Sequence, residues 1–327
     1  MTTPAPPQEG NLDVLLRKKW VVLYLFCVAK VIIPLLWRGA RRAGWFQTYF
    51  EKYPNTLYLG EPNMPLVKSN GININYEEYG SGEPLLLIMG LSAPGAVWEK
   101  HVDEYKKHFR CIVLDNRGAG ASDKPSGNYT TEMMAADSIG VMDALGIDQF
   151  HINGLSMGGA IAQQIAIAHA DRVKKCIITA SWAVCDNYMK SVFEMMKITR
   201  THLSRDDFPK GFLLWLYSPK FYADHPQDIA KGIKLNAADP SPMPQHAFDS
   251  QAAACMAHDT RGKLGGITAP TLIVAGEKDI FTPLECSQYL HEHIKNSKLE
   301  VFENYAHAHH WEDLERYNRV TTEFLKS

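Results

Sequence analysis

No CxxC pair occurs in the 327 residues, and the six cysteines (Cys27, Cys111, Cys176, Cys185, Cys255 and Cys286) are scattered along the chain. That spacing leaves a zinc-finger reading without support and suits buried thiols better than a disulfide framework. Excess charge is also missing. The formal net charge is −2, so no global basic field marks a nucleic acid as partner. Internal repeats are absent, and no low-complexity stretch follows the first eight residues. Apolar residues make up 46% and charged residues 21%, which excludes a disordered, a collagen-like and a polytopic membrane chain. The length suits one large domain, or one domain carrying an insertion.

One long hydrophobic run is present. Trp20 to Trp37 reads WVVLYLFCVAKVIIPLLW. As a helix it would span roughly 27 Å, close to the hydrocarbon thickness of a bilayer. Arg17, Lys18 and Lys19 precede it, and Arg38, Arg41 and Arg42 follow, so the orientation is undetermined. Lys30 and Pro34 interrupt the run. The expectation is a retained membrane anchor or interfacial helix within an N-terminal extension, 1–60, giving membrane association through 20–37. The alternatives are a cleaved signal or a helix packed on a cytoplasmic or secreted domain, although no clear small-x-small cleavage site follows. Asn128-Tyr129-Thr130 fits a glycosylation sequon, a weak pointer to the secretory route.

From about residue 64 the chain alternates β-rich runs with helical patterns. LVKSN and ININYEEY suggest an antiparallel pair turning at Gly71. Pro84–Met89, Arg110–Asp115, Phe150–Leu155, Val173–Ala180, Pro270–Gly276 and Lys298–Glu303 are further strand candidates. Helical patterns cover Thr131–Leu145, Met157–Ala170, Leu284–His293 and Glu312–Lys326. Such alternation argues for an α/β fold, a mostly parallel sheet flanked by helices. It breaks between about Trp182 and Arg261, where no convincing strand occurs. This stretch reads as a helical insertion, whose apolar patches Phe193/Met195/Met196 and Phe212–Tyr217 mostly form its own core.

Gly154-Leu155-Ser156-Met157-Gly158, followed by Gly159, joins a strand pattern to a helix pattern. A G-x-S-x-G turn in that context pushes the serine hydroxyl out above the sheet edge and puts a helix N-terminus behind it. The competing role for Ser156 is an ordinary helix N-cap. A serine needs a base. His307 is the first histidine after the last strand candidate, with His309 and His310 as competitors and Glu312 placed to brace the loop or start the helix. A His-x-His-His tract can also bind metal. The base needs an acid to hold its tautomer. Asp279 follows the strand PTLIVAG; its bland reading is a cap for the next helix, and Glu277 and Asp186 are the alternatives. The oxyanion donors would be the backbone N–H of Met157, next to the serine, and of Leu91, after Met89-Gly90. Gly118–Asp123 faintly matches a dinucleotide fingerprint, but the third glycine position is Asp123; the stretch is a tight loop instead.

Together these motifs resemble the α/β-hydrolase superfamily, over about Pro84–Trp182 and Gly265–Lys326. The resemblance rests on LLLIMGLSAPGAVW, VLDNRGAGASDKP, GLSMGG, TLIVAGEKD and AHAHHWE. It implies an eight-stranded sheet, with the core in 61–182 and 262–327 and a helical cap at 183–261. It also implies a Ser156–His307–Asp279 triad. Two positions depart from the family pattern: Met89 replaces the usual histidine of the oxyanion loop, and Ala306 replaces the glycine before the catalytic histidine. The function expected is that of a lipase- or carboxylesterase-like serine hydrolase acting on a moderately hydrophobic small-molecule ester. It would need no cofactor or metal and bind no nucleic acid. The same triad could serve a C–C bond hydrolase, an enol-lactonase or a cofactor-free perhydrolase, and a non-catalytic ligand receptor could retain it.

Overall fold

Leu85, Leu86, Leu87 and Ile88 are all shielded from solvent. Their side chains alternate between two apolar layers, Leu86 and Ile88 in one and Leu85 and Leu87 in the other. A strand covered on both faces must read as a continuous hydrophobic run, and this one does. The computed structural model describes residues 65–239 and 242–327. The apolar stretch 20–37 lies outside the described residues, and among those described no helix is long and apolar enough to cross a membrane.

The strands are β1 (Leu66–Ser69), β2 (Ile72–Tyr79), β3 (Glu83–Ile88), β4 (Phe109–Leu114), β5 (Phe150–Leu155), β6 (Val173–Thr179), β7 (Thr271–Gly276) and β8 (Ser297–Phe302). They form one eight-stranded sheet in the order β1-β2-β4-β3-β5-β6-β7-β8. β1 and β2 form an antiparallel hairpin, β2 pairs antiparallel with β4, and the remaining pairs are parallel. The hairpin turns on Asn70 and Gly71, both at positive φ (48° and 83°), as a tight Asn-Gly turn demands.

Helices α1 (Glu99–Tyr105) and α11 (Leu314–Lys326) contribute to one apolar layer. The other is built on α2 (Thr131–Ala144) and α3 (Met157–Ala168). Truncating one of the β3 leucines would cost about 2–5 kcal/mol in lost burial and cavity. The last helical pattern, expected from Glu312, is two helices, α10 (His309–Glu312) and α11. Asp313 between them leaves the helical region (φ −133°, ψ 67°), and its carboxylate caps α11 by accepting the Arg316 N–H.

Between β6 and β7 the described chain forms α4 (Asn187–His202), α5 (Phe208–Phe212), α6 (Pro219–Asp224), α7 (Pro226–Ala237) and α8 (Gln245–Ala257), with no strand. Its two ends meet: Val184 and Asp259 form an isolated bridge, and the Thr260 N–H donates to Ala183 O at 2.8 Å. Phe193 and Met196 are buried, but in one apolar cluster with Ile88, Ile152 and Ile178 of the sheet rather than in a core of the insertion's own, because the insertion packs down on the sheet's helical layer; Met195 and Leu214 are exposed. α9 (Leu284–His293) follows β7.

Candidate active site

Ser156 joins β5 to α3 with φ 55° and ψ −116°, a conformation costing on the order of 1–3 kcal/mol for a residue with a side chain. The surroundings enforce it. The Ser156 N–H donates to Thr179 O at 2.8 Å, while its carbonyl accepts from the Ser181 hydroxyl and from the Gly159 N–H, both at 2.9 Å. The flanking residues must lack side chains. A Cβ on Gly154 would lie 2.2 Å from Gly158 O, and one on Gly158 would lie 2.1 Å from Ile88 O. Ser156 occupies the N-cap position, yet its hydroxyl accepts no capping bond from α3. The competing N-cap role is therefore unfilled, and the oxygen remains available for chemistry.

Asp279 follows β7 and is buried. Its Oδ1 accepts the N–H groups of Phe281 and Thr282, both at 2.8 Å. Its Oδ2 accepts the Thr282 hydroxyl at 2.7 Å and lies 2.8 Å from His307 Nδ1. One carboxylate thus holds the turn together with one oxygen and the imidazole with the other. Asp279 does not cap α9, whose N-cap is Pro283. A carboxylate that only accepts requires the proton on Nδ1, which leaves the Nε2 lone pair of His307 bare. The Phe281 ring lies against the imidazole, centroids 4.9 Å apart. Among the described residues no hydrogen bond joins His307 to the Ser156 hydroxyl; His307 bonds through Nδ1. Contacts of that kind commonly tighten only with substrate in place.

The other candidates are engaged elsewhere. Glu277 accepts the Asn304 N–H and pairs with Lys278. Asp186 caps α4 through the Met189 N–H. His309 Nδ1 bonds to Ala306 O, its Nε2 has no partner among the described residues, and burial pushes its pKa down to about 4. His310 Nδ1 lies 3.1 Å from Nε2 of buried His101, and burial holds its pKa well below the ordinary value. Two of the three competing histidines are thus neutral packing groups, in ring contact with Tyr317. Among the described residues no cluster of three or more His, Cys, Asp or Glu could hold a metal ion.

Met157, the first residue of α3, presents one of the helix's initial backbone N–H groups beside Ser156. Gly90 brings the loop after β3 against the serine: a Cβ there would lie 3.1 Å from Ser156 Cβ and 3.6 Å from its Oγ. Leu91 follows, buried. Sequence reasoning missed the groups that fix this loop. The Asn116 amide donates to Met89 O at 2.9 Å, and Gln251 of α8 accepts the Ser92 N–H at 2.9 Å while donating to Arg117 O at 2.7 Å. The tight-loop reading of Gly118–Asp123 fits what is seen. The Asp115 carboxylate accepts from the Gly95 and Ala121 N–H groups and from the Asn75 amide, and a Cβ on Gly120 would overlap it. Thr282 and Ser181 were missed as well; Asp279 and Thr282, three apart in a turn, carried the only local signal.

Comparison with known proteins agrees with this architecture. RutD of Azorhizobium caulinodans, provisionally named a carbamate hydrolase, is 27% identical over 250 residues, 75% of this chain and 92% of that protein. A thermophilic esterase from Thermogutta terrifontis superposes with a TM-score of 0.72 at 26% identity, covering 80% of this chain and 98% of the esterase. The enol-lactonase of Burkholderia xenovorans LB400 superposes at 0.74 with 23% identity over 80% of this chain and 100% of its own, a likeness of fold. The alpha/beta hydrolase fold family matches residues 83–314. The chain belongs to that family and is a hydrolase of the alpha/beta fold.

Proposed function

We propose that the protein is a serine hydrolase that cleaves a carboxylic ester through an acyl-enzyme. One observation carries the reading: an uncapped, strained Ser156 on the β5–α3 turn, on the same sheet as a buried His307 held at 2.8 Å by Asp279. Ser156 Oγ attacks the carbonyl carbon while Nε2 of His307 takes its proton. Asp279 holds the opposite ring nitrogen and stabilises the imidazolium. The developing oxyanion rests on the N–H groups of Met157 and Leu91; losing one such donor costs roughly 100- to 1,000-fold in rate. His307 then protonates the departing alkoxide. A water deprotonated by the same nitrogen attacks the acyl-enzyme, and the acid leaves as Ser156 regains its proton. In this reading residues 183–261 form a cap over the C-terminal strand ends, where open α/β sheets take their ligands. Residues 20–37 attach the protein to a membrane, so carbonate extraction should leave it in the pellet. Full release would refute that attachment.

The similarity to RutD favours a second reading, hydrolysis of a carbamate by the same three residues. A panel of short- and long-chain nitrophenyl esters, an aryl carbamate and a vinylogous diketone separates the readings. Ester turnover that Ser156→Ala abolishes is the expected result. Turnover of the carbamate or the diketone with none of the esters would overturn ester specificity, and activity surviving in Ser156→Ala would overturn the mechanism.

A further inference from the structure

Glu312 joins the histidine loop to the helical insertion. Its Oε1 accepts the backbone N–H of Ser218 at 3.0 Å and that of Ala306 at 3.2 Å. Its Oε2 accepts the hydroxyl of Ser218, which is buried and also caps α6 through the Phe221 N–H. A second bond runs alongside, from the Ala308 N–H to Leu216 O at 2.7 Å. The two residues bracketing His307 are therefore both tied to the short segment 216–218 of the insertion. On its other side the loop is wedged against β7: a Cβ on Gly276 would lie 2.2 Å from Ala306 O. Ala306 cannot move toward the sheet, its carbonyl is held within the loop by His309, and the bond from its N–H to Glu312 ties it to the insertion.

We propose that Glu312 is a positioning residue, which couples the placement of segment 216–218 to the placement of the His307 imidazole. The inference rests on the triad reading and adds a control that the triad lacks. A shift of the insertion is transmitted through one carboxylate to the backbone beside the base. Misplacement of a reacting group by about 1 Å costs on the order of a hundredfold in rate. The bonds need an acceptor oxygen rather than a charge, so glutamine can reproduce them: its carbonyl accepts both N–H groups, and its amide can donate to the Ser218 oxygen.

The test compares wild type, Glu312→Ala, Glu312→Gln and Ser218→Ala by the rate of fluorophosphonate labelling and by kcat and KM on a nitrophenyl ester. The expected result is a loss of about ten- to a hundredfold in labelling rate and kcat for Glu312→Ala, with KM little changed. Glu312→Gln should stay within about threefold of wild type, since the bond geometry survives. Ser218→Ala, which retains the backbone bond, should lose several-fold in kcat and serves as the readout if Glu312→Ala does not fold. A wild type that labels at Ser156 together with Glu312→Ala at the wild-type rate would overturn the proposal. So would a loss confined to KM, a Glu312→Gln as slow as the alanine variant, or, where Glu312→Ala does not fold, a Ser218→Ala with wild-type kcat. A wild type that does not label overturns the triad reading itself, and the two failures are thereby distinct.

Discussion

Lowering the pH from 7 to 5 should remove about 5–6 kcal/mol of stability through three buried histidines. Burial pushes His101, His258 and His309 each down to about 4, from an ordinary value of 6.5. All three are neutral in the fold, whereas the unfolded chain takes up protons as the pH drops through 6.5. Their contribution is therefore complete above about 6.5 and is lost as the pH falls toward 4. At pH 5 linkage gives about 2 kcal/mol per histidine, relative to pH 7. A domain's whole stability is about 5–15 kcal/mol, so the loss is large. Glu83, held down to about 2 first by its hydrogen bonds to Lys174 and His151, loses its contribution only below about 4.5, outside this window. Urea unfolding followed by tryptophan fluorescence at pH 7, 6 and 5 measures the effect. His258→Gln should remove about a third of the slope. An unfolding free energy that stays within about 1 kcal/mol between pH 7 and 5 would refute the burial argument.

Three further outcomes follow from the geometry. His307→Gln should lower kcat by about 10,000-fold or more, while His309→Asn leaves it within about tenfold, as assayed on a nitrophenyl ester. Gly158→Ala puts a Cβ 2.1 Å from Ile88 O and 2.8 Å from Met89 O, both backbone atoms, and should lower stability by about 3 kcal/mol, read as a fall in melting temperature. Asp137→Asn strips Arg117 of the carboxylate it contacts at 2.5 and 2.6 Å in a buried pair and should cost about 3–5 kcal/mol in urea unfolding.

Strand positions were legible because parallel strands buried on both faces are continuous apolar runs, as in PLLLIM and TLIVAG. The serine turn was legible because Gly154 and Gly158 are forced by contacts within a few residues and across to β3. The sheet's strand order was not legible from periodicity, which is a local property; family resemblance supplied only the number of strands, and the order came from the structure. The helix Glu99–Tyr105 escaped notice because it is only two turns long. The histidine tract was legible only in part. The loop position favoured His307, but nothing in the spacing showed that His309 and His310 turn into an apolar layer with Trp98, Phe302 and Tyr317. Thr282, Gln251 and Asn116 act through contacts set by tertiary structure, and Gln251 reaches Ser92 across 159 residues of chain. Of the two roles the sequence offered Glu312, brace of the loop or start of the last helix, the structure shows the brace, though what it braces against, Ser218, lies 94 residues away.

Mass spectrometry of the protein after reaction with a fluorophosphonate tests the nucleophile assignment most directly. The expected result is one covalent adduct on the peptide carrying Ser156, absent in Ser156→Ala and much slower to form in His307→Gln. An unmodified Ser156 in folded wild-type protein, or an adduct on another side chain, would contradict it.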